Sequence, residues 1–352
     1  MSSQEIFMHR ALELAGLGAG RVAPNPMVGC VIVHNDSIIG EGWHQQFGDA
    51  HAEVNAVNSV KNKALLSAST MYVTLEPCNH FGKTPPCTAL ILEHKISKVV
   101  IASPDPNPLV AGKGISKLRD AGVEVITNVL LPQAMELNRR FFVFHQKERA
   151  YVILKYAQTA DGFIARDIHK VSKDEYLRDK QISGEAAQKL VHKWRTEEDA
   201  VLVGSATVAN DNPRLNARFW PGKNPVRILI DDSGAIAKEA NALDGSQTTI
   251  IFTTLKNYPV VNGTEVIVLS KNKFATQLLH KLFERKMMSV IIEGGKRTLQ
   301  TFINENQWDE ARIFTSPKTY FSGVASPELK GEILLKKHIG KDWFTLLKNT
   351  TT

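Results

Sequence analysis

The order of apolar and polar positions predicts two successive α/β regions. In the first region, segments with apolar residues at helical spacing alternate with short runs rich in β-branched residues. The predicted helices are residues 3–17, 52–60, 88–94, 114–121 and 132–145. The predicted strands are residues 27–34, 37–43, 70–75, 98–102 and 123–127. Strands that alternate with helices favour a layered α/β domain.

The second region continues the same alternation after a charged break at Gln146–Arg149. The predicted strands are residues 151–157, 200–204, 226–231, 248–253, 265–269, 289–292 and 309–315, and the predicted helices are residues 183–194, 277–285 and 298–304. Residues 166–180 are charged without a clear period, which predicts a loop, and residues 322–352 predict only edge structure. A chain of 352 residues is too long for one typical core, so we expect two domains, 1–146 and 147–352.

Composition narrows the class of protein. Hydrophobic content of 43% and charged content of 22% are ordinary for a globular protein, and no apolar run approaches the roughly 20 residues of a membrane span. The first residues lack the apolar region of a signal peptide, so we expect a cytoplasmic protein. Three cysteines argue against a disulfide framework. A net charge of +7 without dense basic blocks is weak evidence for nucleic acid and is compatible with a phosphorylated small molecule.

The candidate chemistry is concentrated between His51 and Cys87. His51 is followed two residues later by Glu53, and Pro77-Cys78 and a second thiol at Cys87 come next. Zinc held by one imidazole and two thiolates keeps a fourth position for water and lowers the pKa of that water. A carboxylate beside it can carry protons, as in zinc deaminases, where the glutamate is not a ligand. His-x-Glu alone arises often by chance, but the two cysteines make a metal site the favoured interpretation. Eight residues separate the cysteines here, whereas the common deaminase pattern has two.

Two alternatives remain open at this level. A deaminase acting on cytosine or adenine in a nucleic acid is favoured slightly by the basic composition and disfavoured by the long segment between the cysteines. A structural zinc module would need a fourth protein ligand, which would have to be His44, His80 or Glu53. In the second region, Gly294-Gly295 after a predicted strand could cradle a phosphate, although a glycine pair more often marks a turn.

Longer motifs resemble one family specifically. They are Ala23-Pro-Asn-Pro-Met-Val-Gly-Cys-Val-Ile-Val, Gly42-Trp-His44, Gly48-Asp-Ala-His51-Ala-Glu53-Val, Thr74-Leu-Glu-Pro-Cys78-Asn-His80-Phe-Gly-Lys83-Thr-Pro-Pro-Cys87, Lys155-Tyr-Ala157, Asp161-Gly162, Thr207 through Arg218 and Glu293-Gly-Gly. Together they resemble the bifunctional riboflavin-biosynthesis deaminase–reductases, in which the eight-residue gap between the cysteines is the expected spacing. The resemblance implies a cytidine-deaminase-like three-layer α/β/α domain followed by a dihydrofolate-reductase-like α/β domain. It also implies zinc and NADPH as cofactors, a phosphorylated diaminopyrimidinone as substrate, and a homo-oligomer, either a dimer or a tetramer.

The resemblance further implies roles for individual residues. In the deaminase they are the metal ligands His51, Cys78 and Cys87, the proton carrier Glu53, and the substrate-side residues Asn25, His44, His80, Lys83 and Thr84. In the reductase the cofactor-side residues are Ala157, Thr207, Asp211, Gly295, Lys296, Arg297, Thr298, Leu299, Gln300 and Thr301, and the substrate-side residues are Asp179, Leu215, Arg218 and Glu293. The chain departs from the family in its longer segment 166–180 and in Gln181, which stands where the family carries Trp.

Overall fold

The computed structural model describes residues 2–81, 85–108, 110–259, 261 and 263–351. The chain divides into two compact units, Met1–Glu148 and Arg149–Thr352. Every helix in the described part of the chain is too short or too polar to span a bilayer.

Unit 1 is built on a mixed sheet. Its strands are β1 (Gly29–His34), β2 (Ser37–Trp43), β3 (Thr70–Val73), β4 (Lys98–Ile101) and β5 (Glu124–Ile126), in the spatial order β2-β1-β3-β4-β5. Its helices are α1 (Ser3–Gly16), α2 (Ala52–Ser59), α3 (Cys87–Glu93), α4 (Lys113–Asp120), α5 (Leu131–Leu137) and α6 (Arg139–Lys147). β1 pairs antiparallel with both β2 and β3, whereas β3, β4 and β5 are parallel.

Helices cover both faces of this sheet. Because successive strand residues point to opposite faces, β1 contributes to two separate cores. Cys30 and Ile32 pack with α2, α3 and α4, whereas Val31 and Val33 pack with α1 and α5. The predicted three-layer α/β/α fold is confirmed, and Cys30 is fully buried as a core residue.

The long helix predicted at 132–145 is wrong, because the chain breaks at Asn138 into α5 and α6. The Asn138 side chain accepts a hydrogen bond from the Met27 N–H and donates one to the Met27 carbonyl, both at 2.8 Å. Asn138 itself is 3% exposed. The helical pattern did not reveal the break because the partner lies 111 residues away.

Unit 2 is built on a larger sheet with its parallel strands at the centre. Its strands are β6 (Tyr151–Gln158), β7 (Phe163–Ala165), β8 (Ala200–Gly204), β9 (Val226–Ile230), β10 (Thr249–Thr253), β11 (Thr264–Val268), β12 (Ser289–Gly294), β13 (Glu310–Thr315), β14 (Val324–Ala325), β15 (Glu332–Ile339) and β16 (Asp342–Lys348). Its helices are α7 (Lys173–Asp179), α8 (Glu185–Glu197), α9 (Ser205–Asp211), α10 (Phe274–Glu284) and α11 (Lys296–Asn304). The large sheet has the order β11-β10-β9-β8-β12-β6-β13-β16-β15, and β14 pairs with β7.

The central strands of unit 2 bring their carboxyl ends to one edge of the sheet. β12 lies between β8 and β6 and is parallel to both. In open α/β sheets, ligands bind outside the carboxyl ends of the strands. The segments that leave β6, β8 and β12 therefore define the place to look for a second site. The terminal hairpin β15–β16 forms one end of the sheet, as the edge prediction for residues 322–352 requires.

The loop predicted at 166–180 is wrong in part, because α7 forms within it. Ser172 caps this helix by accepting a hydrogen bond from the Glu175 N–H at 3.2 Å, and acidic residues occupy its first turn. Tyr176 is its buried side chain. A helix of seven residues with one buried side chain leaves no apolar periodicity to read.

Candidate active sites

Three metal-binding side chains meet at the ends of elements in unit 1. The ligand atoms of His51, Cys78 and Cys87 all lie within 4.8 Å of one another. His51 is the N-cap of α2, Cys87 opens α3, and Cys78 lies beyond the end of β3. The His51 Nδ1 is 3.3 Å from the Cys87 Sγ and 3.6 Å from the Cys78 Sγ. One imidazole and two thiols are the donor set of an open zinc site, so these residues fit the ion.

The hydrogen bond between the two cysteine side chains favours the ionised form of Cys78. A hydrogen bond from the Cys87 thiol is the main reason that the pKa of Cys78 falls to about 4, with burial opposing it and His51 assisting. The same bond, together with burial, raises the pKa of Cys87. The Cys87 N–H also donates to the Cys78 Sγ at 3.3 Å, at the start of α3. Both sulfurs would hold zinc as thiolates, so metal binding would release the remaining thiol proton.

Glu53 lies in the first turn of α2 with 4% of its surface exposed. Burial raises the pKa of its carboxyl group, and the nearby charge of Cys78 raises it further. A buried carboxyl group whose pKa is raised towards neutrality is suited to accept a proton and release it again. Its carboxyl group shares a hydrogen bond with the Cys87 thiol, which places it beside the metal-binding side chains.

Asn25 and His44 form a polar pair next to this cluster. The Asn25 Nδ2 donates to the His44 Nε2 at 3.1 Å, and the His44 Nδ1 donates to the Ala50 carbonyl at 3.1 Å. Burial lowers the pKa of His44, so the imidazole is neutral and its tautomer is set by these two bonds. The rings of His44 and His51 meet edge to face at 5.7 Å. The structure therefore brings both predicted residues to the metal-binding side chains.

The structure describes one of the other three predicted substrate-side residues of this site. His80 lies on the surface, while Lys83 and Thr84 lie outside the described residues. Sequence reasoning missed Asp105, in the segment after β4. Burial raises the pKa of Asp105 to about 6, and the neighbouring charges of Glu76, His80 and Cys78 also act on it. The Asp-Pro-Asn-Pro run around it was the available signal, but prolines of this kind are common in loops.

Glu76 anchors the segment that carries Cys78. Its buried carboxylate accepts hydrogen bonds from the backbone N–H groups of Asp105, Gly112, Gly114 and Ile115 at 3.3, 3.0, 2.8 and 3.2 Å. The start of α4 is thereby held against Glu76 and the residue that follows it. A Cβ atom added at Gly114 would lie 2.0 Å from the Pro77 carbonyl oxygen, so only glycine fits there.

Gly114→Ala should therefore displace Pro77 and with it the neighbouring thiol ligand. We expect lower zinc content and a deaminase rate reduced about 100-fold, because misplacement of a catalytic group by about 1 Å can cost that much. The reductase rate should be unchanged. Gly16→Ala is the matched control, since a Cβ atom at Gly16 meets nothing within 4 Å. Metal analysis and ammonia release measure the effect, and equal values in both variants would contradict it.

Unit 2 contains a cavity of about 800 Å³ at the carboxyl ends of β6, β8 and β12. The predicted cofactor-side residues that line it are Ala157, Thr207, Asp211, Gly295, Lys296, Arg297 and Leu299. The predicted substrate-side residues that line it are Leu215, Arg218 and Glu293. Thr298, Gln300 and Thr301 belong to α11 but do not line the cavity, and neither does Asp179.

Gly294 and Gly295 lie in the wall of this cavity, and Gly204 lies behind it at the end of β8. A Cβ atom added at Gly204 would lie 2.4 Å from the Thr298 Oγ1, and one added at Gly295 would lie 3.3 Å from the Thr207 Oγ1. Gly294 has a φ of 131°, in the region that favours glycine. Because α11 begins at Lys296, its free N–H groups point towards a bound anion. The cavity and the start of α11 fit a phosphate-bearing dinucleotide such as NADPH.

A buried ion pair crosses the cavity wall between α8 and β12. The Arg195 Nε and Nη2 donate to the two carboxylate oxygens of Glu293, each at 2.7 Å, and Nη1 donates to the Asn216 carbonyl at 2.8 Å. Burial opposes ionisation of Glu293, but Arg195 overcomes it and, with Lys155, holds the pKa of Glu293 at about 2. Burial lowers the pKa of the Lys155 ammonium. Arg195 and Lys155 were missed as site residues because their partner is distant in sequence.

The segment that departs from the family also reaches the cavity. Asp179 forms an ion pair with Arg166, whose Nε and Nη2 lie 3.0 and 2.9 Å from its Oδ2. Tyr176 and Gln181 line the cavity instead, and the Tyr176 hydroxyl donates to the Asp211 Oδ1 at 3.1 Å. A substrate role for Asp179 stays a prediction without support from this geometry.

Each of the two units matches a family known from other proteins. Residues 1–103 match the cytidine and deoxycytidylate deaminase zinc-binding region, and residues 150–332 match the RibD C-terminal domain. The riboflavin biosynthesis protein RibD of Aquifex aeolicus is 40% identical over 329 residues, covering 92% of this chain and 89% of the relative. That of Bacillus amyloliquefaciens is 39% identical over 335 residues, covering 93% and 87%.

A solved structure extends the likeness to the whole chain. The diaminohydroxyphosphoribosylaminopyrimidine deaminase/5-amino-6-(5-phosphoribosylamino)uracil reductase of Thermotoga maritima is 36% identical with a TM-score of 0.88, and the match covers 99% of both chains. RibD of Acinetobacter baumannii is 31% identical with a TM-score of 0.88, again over 99% of both chains. The two units hold a zinc-type ligand set and a cavity that fits a dinucleotide. Together with similarity over nearly the whole length, these sites establish that the chain belongs to the RibD family of bifunctional deaminase–reductases in riboflavin biosynthesis.

Proposed function

We propose that the two activities are divided between the two units. Residues 1–146 deaminate 2,5-diamino-6-(5-phosphoribosylamino)pyrimidin-4-one, and residues 147–352 then reduce the ribosyl group of the product to ribityl. The observation that carries the first assignment is the convergence of His51, Cys78 and Cys87 beside the buried Glu53. The cavity at the ends of the parallel strands supports the second. The Thermotoga maritima relative, which is named for a deaminase and a reductase acting on these compounds, supports this substrate and this order of steps.

In the deaminase, His51, Cys78 and Cys87 would hold zinc, which supplies a Lewis acid that lowers the pKa of water. Glu53 takes the proton from the attacking water and delivers it to the departing amine, because burial raises the pKa of its carboxyl group and so strengthens it as a base. Asn25 and His44, fixed by their mutual hydrogen bond, orient the polar edge of the pyrimidine ring.

In the reductase, Gly295 and the start of α11 would hold the phosphates of NADPH, which supplies the reducing equivalents. Glu293 stays ionised through Arg195 and offers a carboxylate to N–H donors of the substrate. Arg218 is the phosphate partner that we propose. Its Nη1 donates to the Asn216 Oδ1 at 3.0 Å, and no carboxylate in the described ranges pairs with it.

The partner and compartment predictions form part of this proposal. We propose a small-molecule substrate rather than nucleic acid, a homo-oligomer and a cytoplasmic enzyme. The curated relatives, which are named as biosynthetic proteins, support the small-molecule substrate.

The direct test incubates the zinc-loaded chain with the diaminopyrimidine phosphate, with and without NADPH. Ammonia should appear in both cases, whereas NADPH should be consumed only as deaminated product forms, in equimolar amount. Ammonia release without any NADPH oxidation would remove the reductase assignment, and no ammonia release would remove the deaminase assignment.

Arg218→Gln tests the phosphate placement within this function. We expect the KM of the reductase for deaminated substrate to rise about 100-fold, because a charge-assisted contact to phosphate is lost, with ammonia release unchanged. Arg285→Gln is the control, since Arg285 pairs with Glu265 away from the cavity. Steady-state kinetics of both variants measure this KM. An unchanged KM in Arg218→Gln would show that the substrate phosphate does not bind at Arg218.

A further inference from the structure

His192 is a buried side chain of the reductase cavity that no sequence motif singles out as a site residue. It lies on α8 one turn before Arg195, is 5% exposed, and lines the cavity. Its Nδ1 is buried and has no hydrogen-bond partner among the residues that the structure describes. The Asn216 backbone lies near the ring and favours its protonated form. The imidazole therefore presents Nδ1 as an unused acceptor.

Two neighbours bring the imidazole together with two guanidinium groups. Asn216 accepts a hydrogen bond from Arg195 on its backbone oxygen and one from Arg218 on its side-chain oxygen, at 2.8 and 3.0 Å. The Phe219 ring lies 4.6 Å from the His192 ring, and the Arg218 guanidinium carbon lies 4.6 Å from the centre of the same Phe219 ring. His192, Arg195 and Arg218 thus form one cluster at the cavity.

The charges around His192 are unbalanced. Arg195 is matched by Glu293, whereas Arg218 has no ion-pair partner in the described part of the chain. Burial, then Arg195 and Arg218, lower the pKa of His192 to about 4, and Glu293 offsets this only in part. At neutral pH the Nδ1 therefore carries no proton. A phosphate dianion beside Arg218 would supply the missing negative charge and would favour the imidazolium form.

We propose that His192 binds the substrate phosphate together with Arg218: it takes a proton from solvent onto Nδ1 as the phosphate binds and then donates that N–H to a phosphate oxygen. The proposal rests on the placement of the substrate phosphate at Arg218. The same chemistry could serve the 2′-phosphate of NADPH, and the two sources are separated below by ribose 5-phosphate and NADP⁺.

The proton uptake gives the site a defined pH dependence. The pKa of His192 is higher in the complex than in the free enzyme, so the contribution to binding is lost as pH rises through the pKa of the complex. Since a phosphate monoester itself becomes a dianion above about pH 6, the contribution should be largest near pH 6.5 and absent by about pH 9.

The first measurement uses the unaltered full chain, zinc-loaded and carrying ¹³C,¹⁵N-labelled histidine. The His192 signal is assigned by its loss in His192→Gln, and its titration is followed with and without ribose 5-phosphate. We expect the pKa of His192 to rise by about three to four units with ribose 5-phosphate, to above about 7, and to stay unchanged with NADP⁺ alone, where three units are about 1000-fold in proton affinity. An unchanged pKa at saturating ribose 5-phosphate, or a rise with NADP⁺ only, would overturn the proposal.

The second measurement is kinetic. His192→Gln should raise the KM for deaminated substrate about tenfold at pH 6.5, with kcat within about twofold, and should match the unaltered enzyme near pH 9. His280→Gln, an exposed histidine on α10, is the control. A KM ratio that does not change with pH would show a packing role only and would contradict proton uptake. If Arg218→Gln raises the KM while His192→Gln does not, this inference fails and the proposed function stands. If Arg218→Gln has no effect, the phosphate placement fails first.

Discussion

Glu53→Gln should abolish ammonia release while the chain still binds one zinc ion. Gln has nearly the same shape as Glu but cannot carry a proton between water and the leaving amine, so we expect a loss of about 10³-fold or more. His51, Cys78 and Cys87 are untouched, so the ligand set of the metal remains. The reductase should be unaffected, since it lies in the other unit. Ammonia release on the diaminopyrimidine phosphate, read beside elemental analysis, measures both effects.

Two comparison variants make this result specific. Glu93→Gln changes an exposed glutamate at the end of α3 and should leave both zinc content and rate at their original values. Cys87→Ser should lower zinc content and the rate together. Ammonia release by Glu53→Gln within about tenfold of the unaltered chain would rule out the proposed role, since proton transfer contributes at least about 10²-fold.

Arg195→Met should remove reductase activity and destabilise unit 2. The change leaves the buried carboxylate of Glu293 without its partner, and breaking a buried pair from one side costs about 3–5 kcal/mol. Both side chains are about nine-tenths buried, so solvent does little to compensate. Adding Glu293→Gln should restore most of the stability but none of the activity. Calorimetry of the full chain, followed through the transition of unit 2, tests the stability. Equal stability of Arg195→Met and the unaltered chain would show that the pair contributes nothing.

The same pair predicts a response to acid. The pKa of Glu293 is about 2, below its ordinary value of 4.5, so its ionised form is favoured by folding. The stability that it contributes is present above about pH 4.5 and is lost as pH falls through about 2. The double variant, which has no carboxylate at this position, should lose less stability between pH 5 and pH 2 than the unaltered chain does.

The zinc site was accessible from the sequence because each ligand lies at the end of an element that the hydrophobic pattern predicts. His51 directly precedes α2, and Cys87 begins α3. The open α/β architecture followed from the same alternation. Local patterns predict such features because a hydrophobic run marks where an element begins and ends, and the ligands are then read beside that boundary.

The other parts of the sites depend on partners far along the chain. Arg195 meets Glu293 across 98 residues, and no spacing rule connects them. α7 has one buried side chain, so its sequence shows no helical repeat of apolar residues. His192 reads as one more polar residue on an amphipathic helix, and its place beside Arg218 depends on how Phe219 folds back onto it. Contacts of this kind are set by tertiary packing rather than by local propensity.

The double hydrogen bond between Asn138 and Met27 bears on how a deaminase fragment could be excised. The side-chain amide of Asn138 satisfies both backbone hydrogen-bonding groups of Met27, as a neighbouring β-strand would. Met27 lies two residues after Asn25. A truncation at residue 103, where the match to the zinc-binding region ends, would leave the Met27 N–H and carbonyl unsatisfied next to the substrate-side residues. The region that matches the zinc-binding family is therefore shorter than the piece of chain needed to hold its pocket in shape, and that piece must include α5 and Asn138.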